Sequence, residues 1–205
     1  MAARKPDPRQ AALALLRDFE ARFEPGPVPP VPVERIAESH LGLLIEEVDD
    51  VRAIEGAPAD EGRLSGMLDP RSKTIWLDRR EAARSPGRRR FTIAHECAHW
   101  VLHVPDATAT EVGCRAQDVA EDDEGAARPR GRGAREAEAN VFARELLMPE
   151  VVLVAQIEET GRNLPALAER FDVSVPAVRL RLLMLGVLPP WMASAPVAQR
   201  GGDRR

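Results

Sequence analysis

Residues 90–103 have the sequence RFTIAHECAHWVLH, which predicts a buried helix that runs from residue 88 to residue 103. Apolar side chains occupy much of its circumference, a distribution typical of a helix inside a core. His95 and His99 are four residues apart and therefore lie on one face, about 6 Å apart along the axis. Two imidazoles at this spacing can bind one tetrahedral metal ion with bonds of about 2 Å. Glu96, beside the first histidine, is placed to take a proton from a metal-activated water rather than to bind the metal.

A catalytic zinc site needs a third protein ligand and an open fourth position, and His103 is the first candidate. It lies two turns beyond His95, about 12 Å along the axis, so a straight helix cannot bring all three imidazoles to one ion. The metzincin arrangement solves this problem with a glycine turn, but the chain has Leu102 and Pro105 where that pattern needs glycine and histidine. We therefore interpret His103, and likewise His40, as caps near helix ends.

A second helix, predicted at residues 135–147, offers a better third ligand. Glu136 and Asn140 are four residues apart on one face of it, so this helix can supply both a carboxylate ligand and an amide that orients a ligand. Glu138 points about 160° away from Asn140 and is ranked below Glu136. The alternative is that Glu136 is an ordinary acidic residue, favoured by the dipole at a helix N-terminus.

The two segments together resemble the ImmA/IrrE metallopeptidases. The resemblance is carried by RFTIAHECAHWVLH at residues 90–103 and by EAEANVFARELLMP at residues 136–149, and it extends over roughly residues 10–185. It implies a small gluzincin-like zinc endopeptidase that cleaves a helix-turn-helix repressor and so relieves repression. Transferred residue by residue, it implies three ligands for Zn²⁺ and one general base: His95, His99 and Glu136 for the metal, and Glu96 for the base.

Two features depart from the family pattern. Ala98 stands where the family often has glycine, and Cys97 stands where it often has a large apolar residue, both of which are mild changes of packing. Residues 105–134 form a longer connection than is usual in the family, with an acidic cluster followed by arginines. We predict a mobile surface loop there.

The remaining segments predict an α+β fold, with a helix-rich zincin-like core and a small three-stranded sheet. Helices are predicted at residues 8–23, 33–40 and 150–159, and a proline-rich extended connector at residues 25–32. Strands are predicted at residues 43–48, 64–68 and 74–77, of which the last two form a hairpin. The expected organisation is a zincin-like metallopeptidase domain at residues 1–150, a C-terminal helical segment at residues 151–189 and a flexible tail at residues 190–205.

The C-terminal segment supports a rival function. Residues 164–185 predict two short helices separated near residues 172–174, with Ser174 capping the second, a pattern that resembles a helix-turn-helix motif. The alternative is therefore a regulator that binds DNA or a repressor without cutting protein. The second helix offers Arg179 and Arg181 to read bases but is otherwise rich in apolar side chains, so packing on the peptidase domain explains the pattern equally well.

Composition narrows the class of protein further. The chain has 205 residues, a net charge of −4 and a pI near 5.7, so it lacks the overall basic field of a dedicated nucleic-acid-binding protein. Its apolar runs stay well below the roughly 18 residues of a membrane span, and it has neither a signal-peptide pattern nor a disulfide framework, so we expect a cytoplasmic protein. The chain also has no tyrosine. His103, His40 or an arginine of the predicted mobile loop would have to stabilise the oxyanion of the transition state, unless zinc does so alone.

Overall fold

Helices and strands alternate irregularly along the chain, as in an α+β protein. The structure is a computed structural model and describes residues 6–23, 28–57, 64–84, 86–104, 112–115 and 132–192. The helices are α1 (Pro8–Phe23), α2 (Val33–Arg35, continued by a π-helical turn at Ile36–His40), α3 (Arg79–Arg84), α4 (Pro86–Leu102), α5 (Arg132–Leu147), α6 (Glu150–Thr160), α7 (Leu164–Phe171) and α8 (Val175–Met184). The strands are β1 (Leu44–Val48), β2 (Leu64–Asp69), β3 (Thr74–Asp78) and β4 (Val112–Arg115).

The sheet is mixed and has the strand order β1-β3-β2-β4. The predicted hairpin is confirmed, because β2 and β3 pair antiparallel, whereas β1 pairs parallel to β3. The three predicted strands are present, and β4 adds a fourth that pairs antiparallel to β2 within the segment predicted as a loop. Its four residues include Gly113, so pairing with β2 stabilises this strand more than intrinsic preference does. Residues 105–111 and 116–131 of the predicted loop lie outside the described residues.

Helix α4 forms the centre of the core, as its apolar sequence predicts. Its residues are buried without interruption from Arg90 to His99, and the helix packs against α5 and against β2. Small buried residues on both helices, Ala98 on α4 and Ala139 on α5 among them, allow the two axes to approach closely. This packing brings the histidine pair of α4 against the first turns of α5.

Strand β2 approaches α4 as closely as glycine permits. A Cβ atom at Gly66 would lie 2.5 Å from Cγ2 of Thr92 and 3.1 Å from the carbonyl oxygen of Trp76. The first of these distances is far inside van der Waals contact, so a larger residue would push the strand away from the helix.

Replacing Gly66 with alanine is therefore expected to lower the free energy of unfolding by about 1–3 kcal/mol, as overpacked cores typically do. Chemical denaturation of the metal-free chain measures it. Thr92→Ser removes the clashing methyl and keeps the hydroxyl that donates to the Arg88 carbonyl oxygen. Adding this second change to Gly66→Ala should recover part of the loss. Equal stability of all three chains would show that the contact is looser than the structure indicates.

The C-terminal helices have an apolar core of their own. The second hydrophobic cluster begins at Met148 and includes Leu153, Phe171 and Leu182 from α6, α7 and α8. The predicted break between α7 and α8 is present, and Ser174 caps α8 as predicted, with its Oγ accepting a hydrogen bond from the Ala177 amide at 3.2 Å.

The turn between α7 and α8 packs on the start of α4. A Cβ atom at Gly87 would lie 3.0 Å from the Cα of Val173 and 3.1 Å from the amide nitrogen of Ser174. One turn further along α4, the buried Arg90 donates to the Val31 carbonyl oxygen at 2.7 Å and lies 3.4 Å from a carboxylate oxygen of Asp172. The helix that carries the histidine pair is therefore held at its N-terminal end by both the proline-rich connector and the C-terminal helices.

Candidate metal centre

The structure brings together His95, His99 and Glu136, the three residues that the sequence predicts as metal ligands. Nε2 of His95 lies 3.0 Å from Nε2 of His99. The Oε2 atom of Glu136, in the first turns of α5, lies 3.1 Å from Nε2 of His95 and 3.6 Å from Nε2 of His99. Both imidazoles are fully buried, whereas the glutamate side chain keeps 14% exposure. The three potential ligand atoms thus form a compact triangle in which only the glutamate side chain is partly exposed to solvent.

The dimensions of this triangle fit a metal ion. Tetrahedral ligands with bonds of about 2.0–2.1 Å are separated from one another by about 3.3–3.4 Å. The three separations, 3.0, 3.1 and 3.6 Å, fall on both sides of that value. Two imidazoles with one carboxylate also form a ligand set typical of catalytic zinc sites. The residues present therefore fit a metal ion with one coordination position left free.

The charge states of the site also suit metal binding. Burial lowers the pKa of His99 to about 4, so its imidazole is neutral near pH 7. Burial alone would raise the pKa of Glu136, but its close contacts with the imidazoles of His95 and His99 outweigh this effect and hold the pKa below its usual value. Neutral imidazole and ionised carboxylate are the forms that bind a metal.

Asn140, on the same face of α5 as Glu136, contacts the ring of His95. Its Oδ1 atom lies 3.0 Å from Nδ1 of His95. Since an amide oxygen only accepts hydrogen bonds, this contact assigns the proton of His95 to Nδ1 and leaves the lone pair of Nε2 directed at the triangle.

Glu96 is buried next to this triangle without compensation. Neither of its carboxylate oxygens has a hydrogen-bond partner among the described residues. Burial and the nearby charge of Glu136 raise its pKa well above the usual value, by more than the nearby Leu68 backbone amide lowers it. A buried carboxylate without partners destabilises a fold, so its presence beside a candidate metal centre points to function rather than to stability.

His103 does not cap the end of α4, and that interpretation is wrong. The side chain is buried, with Nδ1 at 2.8 Å from Nδ1 of His99 and Nε2 at 2.9 Å from a carboxylate oxygen of Glu138. His103 continues the four-residue spacing of the histidine pair, so its ring stacks behind that of His99, with ring centroids 5.0 Å apart. The four-residue spacing is visible in the sequence, but only the position of α5 shows that the Glu138 carboxylate contacts the ring of His103.

His40 lies away from the triangle, where the π-helical turn packs on α1. Its ring contacts Phe19 and Phe23 edge-on, and its Nε2 lies 3.4 Å from a carboxylate oxygen of Asp18. It thus joins two helices instead of capping one. Because both ring nitrogens of His103 face other side chains, neither histidine is placed to stabilise an oxyanion.

Cys97 packs in the interior of the protein. It is fully buried in the main hydrophobic cluster. Burial, and to a lesser extent the charge of Glu96, raises the pKa of its thiol far above the usual value. A thiol that stays protonated is neither a metal ligand nor a nucleophile at neutral pH.

Residues 51–183 match the family model described as the IrrE N-terminal-like domain, Peptidase M78. The chain belongs to this family. The ImmA/IrrE resemblance predicted from the two sequence segments is therefore confirmed, and with it the assignment to a family of peptidases. The matched region contains His95, His99 and Glu136 together with most of α8.

Two known proteins place this M78 member among its relatives. The chain is 34% identical over 116 residues to the radiation response metalloprotease IrrE of Deinococcus radiodurans, a match that covers 55% of this chain. It spans only 31% of the length of that relative. A solved structure described as a Mycobacterium tuberculosis transcriptional regulator superposes with a TM-score of 0.54 at 21% identity, covering 84% of this chain and 46% of the other. The latter similarity concerns the fold alone. Among the described helices, none combines the length and the apolar character that crossing a membrane requires.

Proposed function

We propose that the chain is a zinc-dependent endopeptidase that cleaves a regulatory protein, with a helix-turn-helix repressor as its expected substrate. The observation that carries this proposal is the convergence of His95, His99 and Glu136 on one point beside the unpaired carboxylate of Glu96. Membership of the M78 family supports peptide-bond hydrolysis. The repressor as substrate rests on the ImmA/IrrE resemblance.

The residues of the candidate metal centre would have different roles in peptide hydrolysis. His95, His99 and Glu136 would hold zinc, while Asn140 fixes the ring of the first histidine. Bound zinc acidifies a water molecule and polarises a peptide carbonyl. In this scheme a carboxylate oxygen of Glu96 accepts a proton from the attacking water and later donates it to the nitrogen of the leaving amine.

The organisation expected from the sequence belongs to the same proposal. Residues 1–150 would form the peptidase domain and residues 151–189 a helical segment attached to it, followed by a tail at residues 190–205. The turn between α7 and α8 packs on α4 at Gly87. This contact favours a structural role for residues 151–189, in which they stabilise the peptidase core.

The DNA-binding alternative has less support. Arg181, one of the two arginines of α8 offered for base recognition, is fully buried and forms an ion pair with Glu145. A side chain held in this way cannot reach the edge of a base. Arg179 is the remaining arginine of α8, and it is only partly exposed.

The experiment that tests the proposal combines metal analysis with cleavage. The purified chain is stripped with a chelator, reloaded with zinc and incubated with purified helix-turn-helix repressors of the same organism. Fragments are identified by mass spectrometry. We expect equimolar zinc and a defined cut, both lost with chelator. His99→Ala should lower zinc affinity by more than the roughly 100-fold that outer partners of a ligand contribute. His40→Ala, which removes a mostly buried histidine from the π-helical turn Ile36–His40, is the matched control and should retain zinc and cleavage.

Two results would contradict the proposal. If the wild-type chain binds no zinc, the assignment of the metal centre is wrong. If the zinc-loaded chain leaves the repressors intact, the assignment of the substrate is wrong.

A further inference from the structure

We propose that His103 and Glu138 are positioning residues that set the strength of metal binding through His99. Neither residue touches the triangle of potential ligand atoms. Together they form a chain of contacts that runs from the far side of the His99 ring to the partly exposed carboxylate of Glu138. The inference rests on the proposed function, because it assumes that His99 binds the metal through Nε2.

The protons along this chain can be placed on only one set of atoms. Nε2 of His99 faces His95 and Glu136, so a metal ligand at that position must carry its proton on Nδ1. That N–H donates to Nδ1 of His103, which must therefore be the unprotonated nitrogen of its ring. The proton of His103 then resides on Nε2 and is donated to the carboxylate of Glu138. In this arrangement each donor nitrogen of His99 and His103 carries a proton, and each atom that it faces is an acceptor.

The two histidine ligands are thus supported differently. Nδ1 of His95 donates to the neutral amide of Asn140, whereas Nδ1 of His99 is linked through His103 to a carboxylate. Hydrogen bonds that end on a charged acceptor are stronger and make the ligand more basic. His99 is therefore the ligand whose affinity for the metal depends on a distant charge.

Burial strengthens this link along most of its length. His99 and His103 are buried, and the Glu138 side chain keeps 30% exposure. Within a protein interior a hydrogen bond between polar groups is less weakened by solvent than at the surface. The Glu138 carboxylate is partly exposed to solvent. The two rings of His99 and His103, which form the rest of the link, are buried.

Two substitutions separate this link from simple packing. Glu138→Gln keeps an oxygen that accepts from Nε2 of His103 but removes the charge. His103→Asn places an amide oxygen near the former Nδ1 position, so that it still accepts from His99 but no longer reaches Glu138. Glu158→Gln, the same chemical change on the exposed face of α6, is the matched control.

The test measures zinc affinity of the full chain by competition with a chromophoric chelator, together with the visible absorption of the cobalt-substituted protein. We expect Glu138→Gln and His103→Asn to bind zinc about 10–100-fold more weakly than the wild type, with an altered cobalt spectrum. Thermal stability of the metal-free chains should change little for Glu138→Gln. The Glu158→Gln chain should match the wild type in every measurement.

The outcomes distinguish the inference from the proposed function. If the wild type binds zinc and Glu138→Gln binds it equally tightly, the inference is overturned and the proposed function stands. A weaker affinity matched by an equal loss of metal-free stability would assign the two residues to packing alone. A wild type that binds no zinc would overturn both proposals. Should His103→Asn fail to fold, Glu138→Gln alone decides.

Discussion

Glu96→Gln is expected to lower the rate of substrate cleavage by about 10²–10⁴-fold, the usual contribution of general acid–base catalysis. The amide has nearly the same size but cannot accept a proton from water. Zinc content should remain equal to that of the wild type, because Glu96 is not among the three converging ligands. Burial and the charge of Glu136 raise the pKa of the carboxyl group. A neutral amide should therefore leave the metal-free protein at least as stable as the wild type.

Cleavage rate, zinc content and melting temperature of the same preparations check this prediction. Glu96→Asp is a useful companion, since it keeps the carboxylate but withdraws it by one methylene. If position matters as well as charge, it should also cleave slowly. A Glu96→Gln chain that cuts at the wild-type rate would exclude Glu96 as the base. Slow cleavage accompanied by loss of zinc would instead place the residue among the ligands.

The second large effect is expected at the buried ion pair between α5 and α8. Arg181 donates to a carboxylate oxygen of Glu145 and, at 3.2 Å, to the carbonyl oxygen of Met148. The other carboxylate oxygen of Glu145 accepts from the Glu150 amide, at the start of α6, at 3.2 Å. Arg144 is also buried, and burial together with the charge of Arg181 lowers its pKa to about 10. Glu145 is thus the ionic partner of a buried arginine that a second buried arginine repels.

Glu145→Gln is therefore expected to destabilise the fold by about 3–5 kcal/mol, the usual effect of leaving a buried charge without its partner. Urea denaturation of the metal-free chain measures this loss. The paired change of Glu145→Leu and Arg181→Met removes both charges and should be far less harmful than Glu145→Gln alone, because two well-packed apolar residues often replace a buried pair without loss. A paired variant as unstable as the single one would mean that the ion pair is required for the packing itself.

The parts of the fold that were predicted correctly are those with local signals. Apolar periodicity predicts α1 and α4, and two short apolar runs at residues 64–68 and 74–77 predict the hairpin of β2 and β3. The four-residue spacing of His95 and His99 identified their common face, and the same spacing on α5 selected Glu136 and Asn140.

The parts that were missed depend on contacts between distant segments. Strand β4 forms by pairing with β2, a partner more than forty residues away, and its own four residues carry little strand preference. His103 was assigned to a helix cap because the approach of Glu138 on α5 cannot be derived from spacing along α4. Helical phase also placed Glu138 on another face than Asn140, but the length of its side chain allows it to reach His103.

The burial of charged side chains is also not predictable from the sequence. Arg181 belongs to a pattern that suggested an exposed recognition helix, yet it is buried because Glu145 and the Met148 carbonyl oxygen supply its partners. Sequence alone favours an exposed arginine, since isolated charges are rarely buried. Only the packing of α8 on α5 shows that the partners are present.

The contact between Gly87 and the turn at Val173 and Ser174 limits how α4 or the C-terminal helices can be exchanged separately with those of a relative. A chimera that joins α4 of one family member to α7 and α8 of another would require glycine at position 87 and a turn of matching shape, because a Cβ atom there would meet the backbone at 3.0–3.1 Å. The helix that bears His95 and His99 and the C-terminal helical pair therefore form one packing unit, although residues 103–163 lie between them along the chain.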